Sequence, residues 1–114
     1  MTVGFSDTLA GTQLQGDGLR DVVKKVLVPP AEWEGWCMRL FELGPAGHTP
    51  CHRHDWPHIN VVLEGAGTLH VDGVDHELRA GAYAFVPAGA LHQFTATPDG
   101  PLSFVCIVPA EGDV

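Results

Sequence analysis

The chain has 114 residues, the usual size of one domain with a single core. Hydrophobic residues make up 45% and charged residues 18%, a balance that excludes a disordered chain. The formal net charge of −8, from 14 acidic and 6 basic residues, argues against a protein that binds nucleic acid or an anionic membrane through clustered Lys and Arg, so we expect neither as a partner.

Residues 1–22 have weak hydrophobic periodicity and are predicted to form an N-terminal arm, or an additional strand that a partner subunit could receive. Residues 23–110 are predicted to form the folded barrel, and residues 111–114 a C-terminal tail. The exposed apolar side chains expected at Val3, Phe5 and Leu9 would suit a contact between two subunits.

Short apolar runs separated by Gly and Pro are typical of an all-β barrel or sandwich, and this chain has 14 Gly and 9 Pro. Asp72-Gly73 favours a two-residue hairpin turn, because both residues tolerate positive φ. Gly65 and Gly67 are predicted to flank another tight turn. The predicted strands are 24–28, 36–43, 49–54, 59–64, 68–71, 74–78, 82–86, 91–96 and 102–108.

The histidines are the chemically informative feature, because four of the seven fall in two short segments. If residues 49–54 are extended, His52 and His54 point to the same face and present two imidazoles to one point. His58 follows a turn, and a closed barrel can bring His92 beside it. Imidazole binds several divalent metals, so this pattern predicts a metal site.

The spacing of these residues resembles the two sequence motifs of the cupin family, over about residues 36–108. The first motif is matched by Gly47, His52, His54, His58 and Gly65, and the second by Gly81, Pro87, Gly89, His92 and Ala96. The resemblance implies a small antiparallel β-barrel of the double-stranded β-helix, or jelly-roll, type. It also implies one divalent metal ion per chain, held by His52, His54, His58 and His92.

Two positions depart from the family pattern: His58 stands where a Glu is usual, and Ala96 where an Asn is usual. Four neutral histidines leave a divalent site with a net charge near +2, whereas three histidines and a carboxylate leave it near +1. The more positive site favours anionic ligands. The four histidines do not select among Mn, Fe, Ni and Zn.

Candidate substrate contacts are the side chains expected near this site. Arg39 interrupts an apolar strand; it either faces inward, where it would mark an anionic substrate, or faces an edge and pairs with an acid. Trp56 adjoins the segment that carries His52 and His54, and it either borders the mouth of the pocket or is an ordinary packing residue. The full set is Arg39, Trp56, Met38, Tyr83, Phe94 and Phe104.

The resemblance implies a metal-dependent enzyme acting on a small oxygenated anionic metabolite, as a dioxygenase with iron or as a lyase or isomerase with Mn, Zn or Ni. No catalytic acid or base is identified, since Glu42 and Glu64 are explained equally well as facing the cavity or the solvent. The alternative is a non-catalytic protein that binds a small molecule or a metal chelate. The family also implies a homodimer.

Three cysteines, Cys37, Cys51 and Cys106, cannot all pair within the chain, and none belongs to a CxxC motif. The N-terminal residues lack a basic region followed by an apolar run, and no stretch approaches the roughly 18 apolar residues of a membrane span. These features predict a reducing, cytoplasmic location.

Overall fold

The computed structural model, which describes residues 1–113, contains eight strands that form one antiparallel sheet closed into a barrel. Short 3-10 turns at Ser6–Thr8 and Ala110–Gly112 are its helical segments. The strands are β1 (Thr12–Gln13), β2 (Arg20–Val28), β3 (Trp36–His48), β4 (His58–Val71), β5 (Val74–Arg79), β6 (Tyr83–Val86), β7 (His92–Ala96) and β8 (Leu102–Pro109). The predicted all-β barrel of jelly-roll type is confirmed.

The two long strands, β3 and β4, close the barrel because each one passes from one face to the other. The first part of both strands pairs with β8, through the registers Phe41 with Phe104 and Val62 with Phe104. The end of β3 and the second part of β4 pair with β7, where His48 and Thr68 both lie opposite Thr95. Strand β8 therefore lies between β3 and β4 on one face, and β7 lies between them on the other.

The predicted turn at Gly65 and Gly67 is wrong, because β4 continues through both residues. An added Cβ would lie 1.9 Å from the Pro101 carbonyl oxygen at Gly65 and 2.2 Å from the Thr95 carbonyl oxygen at Gly67. Glycine is required here because neighbouring strands approach the backbone closely. The hairpin predicted at Asp72-Gly73 is confirmed: it joins β4 to β5, with φ of 47° and 84° at the two residues.

The strand predicted over residues 49–54 is also wrong. Only His52 forms a β-bridge in this segment, and its partner is His92. Pro50 has no N–H to donate, so the segment follows β7 through a few separate hydrogen bonds instead of a ladder. These bonds are Thr49 N to the Phe94 carbonyl at 3.0 Å and reciprocal bonds between His52 and His92 at 3.1 and 3.0 Å.

The core consists of inward side chains from both faces of the barrel, including Leu43, Val62, Leu69, Leu102 and Phe104. On β8 the even-numbered residues face inward, as do the odd-numbered residues at the start of β3 and the even-numbered residues at the start of β4. The opposite faces of these strands explain the exposure of Ile59 and Leu63, which are 46% and 47% accessible.

Within the predicted N-terminal arm, Thr12–Gln13 form β1, which pairs with β2 of the same chain. Leu14 and Leu19 pack against the core, whereas Val3 and Phe5 are exposed. Val114, part of the predicted C-terminal tail, lies outside the described residues. In residues 1–113, neither helical segment has the length and apolar character needed to cross a membrane.

Candidate metal centre

The fold brings the four predicted ligand histidines together at one end of the barrel. His58 is the first residue of β4 and His92 the first residue of β7, while His52 and His54 lie on the segment before β4. The His92 ring centroid lies 4.8 Å from that of His52, 4.9 Å from that of His54 and 4.8 Å from that of His58. His58 and His92 are buried and His52 is exposed, so the group runs from the interior to the rim.

All four rings are held by a hydrogen bond at Nδ1. Three of these bonds go to backbone carbonyls: His52 to Pro50 (2.9 Å), His54 to Trp56 (2.8 Å) and His92 to Ala90 (2.9 Å). A carbonyl can only accept, so the proton of each of these three imidazoles lies on Nδ1 and the Nε2 lone pair is free.

His58 is held in the same way by a side chain. Asn60 donates from Nδ2 to the Val105 carbonyl (3.4 Å), which leaves its Oδ1 to accept from His58 Nδ1 at 2.5 Å. The free Nε2 of His58 then lies 3.2 Å from Nε2 of His92. Two acceptor nitrogens therefore face each other in the buried part of the site.

Burial favours the neutral form of His54, His58 and His92. It lowers the pKa of His58 to about 4, an effect that His92 and His54 reinforce and that the hydrogen bond with Asn60 only partly opposes. Burial also lowers the pKa of His54 and of His92. A neutral imidazole is the form that binds a metal ion.

This donor set fits a divalent metal ion. Ligand atoms of His52, His54 and His92 all lie within 4.8 Å of one another, and His58 adds the contact of 3.2 Å with His92. Two nitrogens bound at right angles to one ion, each at about 2.1 Å, lie roughly 3 Å apart. A cation between them would also remove the repulsion of the facing lone pairs.

A cavity of about 360 Å³ opens next to the histidines. Four of the six candidate substrate contacts are among the residues that line it: Arg39, Trp56, Phe94 and Phe104. The Trp56 ring stacks on His54, with centroids 4.6 Å apart and planes inclined by 8°. The cavity therefore has imidazoles on one side and aromatic rings around them.

The other two predicted substrate contacts lie outside the cavity. Tyr83 is 82% accessible because it lies opposite Val61, whose side chain points away from the barrel interior. Met38 alternates with the inward Arg39 and lies opposite Ile107 on the outer face. Neither residue can contact a ligand beside the histidines.

Several residues of the site were not identified from the sequence. Asn60 is 2% accessible and orients His58; a polar residue two positions after His58 in an apolar strand is the signal that could have identified it. Cys106, Leu14 and Leu19 also line the cavity. The two leucines come from the N-terminal segment, where the sequence has no pattern that indicates a pocket.

A family model described as a cupin domain matches residues 39–108, which are nearly all of the barrel from β3 to β8. This chain belongs to the cupin family. Its barrel is similar to that of the polyketide cyclase RemF from Streptomyces resistomycificus, with a TM-score of 0.89 and 26% identity over 96% of this chain and 80% of that one.

Two curated relatives are also similar to this cupin. Dimethylsulfoniopropionate lyase DddW from Ruegeria pomeroyi is 42% identical over 61 residues, which are 54% of this chain and 40% of the lyase. The 1-methylthio-D-xylulose 5-phosphate methylsulfurylase from Rhodospirillum rubrum is 33% identical over 107 residues, which are 94% of this chain and 68% of that enzyme. The cupin thus matches less than half the length of the first relative.

Proposed function

We propose that this cupin binds one divalent metal ion through His52, His54, His58 and His92 and acts as a metal-dependent enzyme, of lyase type, on a small oxygenated anionic metabolite. The observation that carries the proposal is the common orientation of the four imidazoles. Each Nδ1 is hydrogen-bonded, so each Nε2 is free to bind a cation.

Four protein ligands would leave two positions of a six-coordinate ion for substrate. Once bound there, a divalent ion would stabilise negative charge on a substrate oxygen. The chain itself would orient the ligand between the aromatic side chains of the cavity and keep water from it.

The choice of a lyase rests on the relatives, one of which is named a lyase. The names of both curated relatives specify a substrate with an anionic group, the carboxylate of a sulfoniopropionate in one and the phosphate of a sugar in the other. Iron at the site would instead favour a dioxygenase, and Mn, Ni or Zn favours the lyase or an isomerase.

The metal site is tested by expressing the protein without added metal and measuring bound metals by plasma mass spectrometry. We expect about one ion per chain in the wild type and in His76→Ala, a control at an exposed histidine on β5. Most of the bound metal should be lost in each of three variants: His52→Ala, His58→Ala and His92→Ala. A wild type that binds no divalent ion even when supplied would overturn the proposal.

A second function is favoured by one observation: among the described residues that line the cavity there is no Asp, Glu, Lys or Tyr. Glu42 pairs with Lys25 at 3.1 Å on the outer face, and Glu64 is exposed, so neither supplies a general base. A cupin without a base could bind a metal chelate and leave it unchanged.

Turnover separates the two functions. Metal-loaded protein is incubated under air with dimethylsulfoniopropionate or 1-methylthio-D-xylulose 5-phosphate, and substrate and products are followed by mass spectrometry. Consumption that His92→Ala abolishes supports an enzyme, whereas tight binding of either compound without consumption supports the binding protein.

The homodimer implied by the family stays a prediction. The exposed side chains of Val3, Phe5 and Leu9 are available for a subunit contact, at 85%, 79% and 42% accessible. Sedimentation velocity at micromolar concentration should show a dimer, and a monomer would contradict it.

A further inference from the structure

Arg39 is a buried cation in the wall of the cavity. It is 7% accessible and lies opposite Cys106 on β8, which in turn lies opposite Asn60 on β4. Arg39 is therefore two strands from Asn60, about 10 Å between backbones, and Asn60 orients His58. An inward arginine in this position faces the same cavity as the candidate metal ligands.

The guanidinium of Arg39 lies over the Phe41 ring, 5.0 Å from its centroid, and its hydrogen bonds within the described chain are few and long. One terminal nitrogen donates to the Gly112 carbonyl and the other to Cys106 Sγ, both at 3.3 Å. Its Nε is buried and has no hydrogen-bond partner. Sulfur is a weak acceptor, and burial raises the pKa of the Cys106 thiol, so Cys106 is neutral and does not balance the charge.

The acid nearest to Arg39 is shared with a second cation. Asp113 Oδ1 lies 3.8 Å from Arg39, beyond hydrogen-bond distance, and 2.8 Å from Lys24 Nζ. One carboxylate thus faces two cations, which leaves a local excess of positive charge in a chain whose net charge is −8. A buried charge of this kind is costly unless an anion pairs with it.

Aromatic rings line the cavity beside Arg39 and the histidines. Phe104 stacks on Phe41 and on Phe94, with centroids 5.6 and 4.0 Å apart, and all three line the cavity. A ligand in this cavity that reaches both Arg39 and the histidines would contact these rings, which favours an apolar middle. At one end it would meet a guanidinium, which matches the geometry of a carboxylate.

We propose that Arg39 is the anion-binding residue of an elongated substrate that has a carboxylate at one end, an apolar middle, and an oxygen donor for the metal at the other end. This inference rests on the proposed metal-dependent function, because the metal holds the second end. The incoming carboxylate would replace Cys106 as acceptor and would compete with Asp113 for the guanidinium.

The test is calorimetric titration of the metal-loaded protein with pentanedioate and hexanedioate, each compared with the monocarboxylate of equal length. We expect at least one dicarboxylate to bind about tenfold more tightly than its monocarboxylate, since it engages both ends of the cavity. In Arg39→Gln this preference should disappear while the metal content stays at the wild-type level. Equal affinities in the metal-loaded wild type, or a preference that survives Arg39→Gln, would overturn the inference.

Asp113→Asn provides a second variant if Arg39→Gln does not fold. Without the competing carboxylate, dicarboxylates should bind several-fold more tightly; unchanged or weaker binding contradicts the inference. Failure of the metal site is distinguished by metal analysis of the same samples. If the wild type holds no metal, pentanoate and pentanamide are compared on the metal-free protein: a preference for pentanoate that Arg39→Gln removes supports the role of Arg39, and no preference overturns it.

Discussion

Nε2 of His58 and Nε2 of His92 lie 3.2 Å apart although neither nitrogen carries a proton. Both protons are placed on Nδ1, by Asn60 in one case and by the Ala90 carbonyl in the other. Protonation would relieve the repulsion of the two lone pairs, but burial holds the pKa of His58 near 4. A cation shared by the two nitrogens would stabilise this contact at neutral pH.

Metal binding should therefore stabilise the fold. With free metal at about a hundred times Kd, the free energy of unfolding should rise by about 2.7 kcal/mol. For a domain of this size that corresponds to an increase in Tm of roughly 10 °C, measured by calorimetry with and without a chelator. His92→Ala should lose the increase and His76→Ala should keep it. An equal increase in His92→Ala would place the metal elsewhere.

Asn60→Ala should weaken metal binding by about 10- to 100-fold, because it removes the acceptor that holds the His58 ring and its proton. Asn60→Asp keeps an acceptor oxygen at the same place and serves as the matched variant. Competition with a chromogenic chelator measures both affinities. Wild-type affinity in Asn60→Ala would show that His58 is oriented by its packing alone.

Comparing Gly65→Ala with Gly73→Ala separates the destabilisation caused by a steric clash from that caused by backbone strain, since both residues have a φ of 84°. At Gly73 an added Cβ meets nothing within 4 Å, so backbone strain alone should lower the free energy of unfolding by about 1–2 kcal/mol. At Gly65 the added Cβ meets the Pro101 carbonyl oxygen, and this clash should increase the loss of unfolding free energy by about a further 1–3 kcal/mol. Urea unfolding measures both; equal losses would contradict the close approach of β4 and β8.

Leu102→Ala should lower the free energy of unfolding by about 2–5 kcal/mol, because Leu102 is 0% accessible and its truncation leaves a cavity in the core. Leu63→Ala, at a leucine that is 47% accessible, should cost about 0.5 kcal/mol or less. Denaturant titration of the pair checks the inward and outward faces assigned to β8 and β4. A larger loss at Leu63 would reverse that assignment.

The sequence by itself predicts the all-β class, the hairpin turn and the candidate metal site, because each depends mainly on residues close together in the chain. The spacing of Gly, Pro and apolar runs predicts a small all-β barrel, and Asp72-Gly73 predicts its hairpin, because turn conformations depend on the residues within the turn. Four histidines in two short segments predict a metal site. The predicted convergence of His52 and His54 rests on a strand that does not form, yet their ring centroids lie 5.3 Å apart.

Tertiary structure alone decides which face of each strand points inward and which distant residues meet. Tyr83 and Phe104 have similar side chains, but pairing with Val61 places Tyr83 outside the barrel, whereas β8 lies between β3 and β4 with Phe104 inward. The fold likewise brings His58 beside His92 and Arg39 near Asp113, although each pair is far apart in the sequence. Strand register is set by the closure of the whole barrel, and a shift of one residue would reverse every face, so alternation within a single strand cannot determine it.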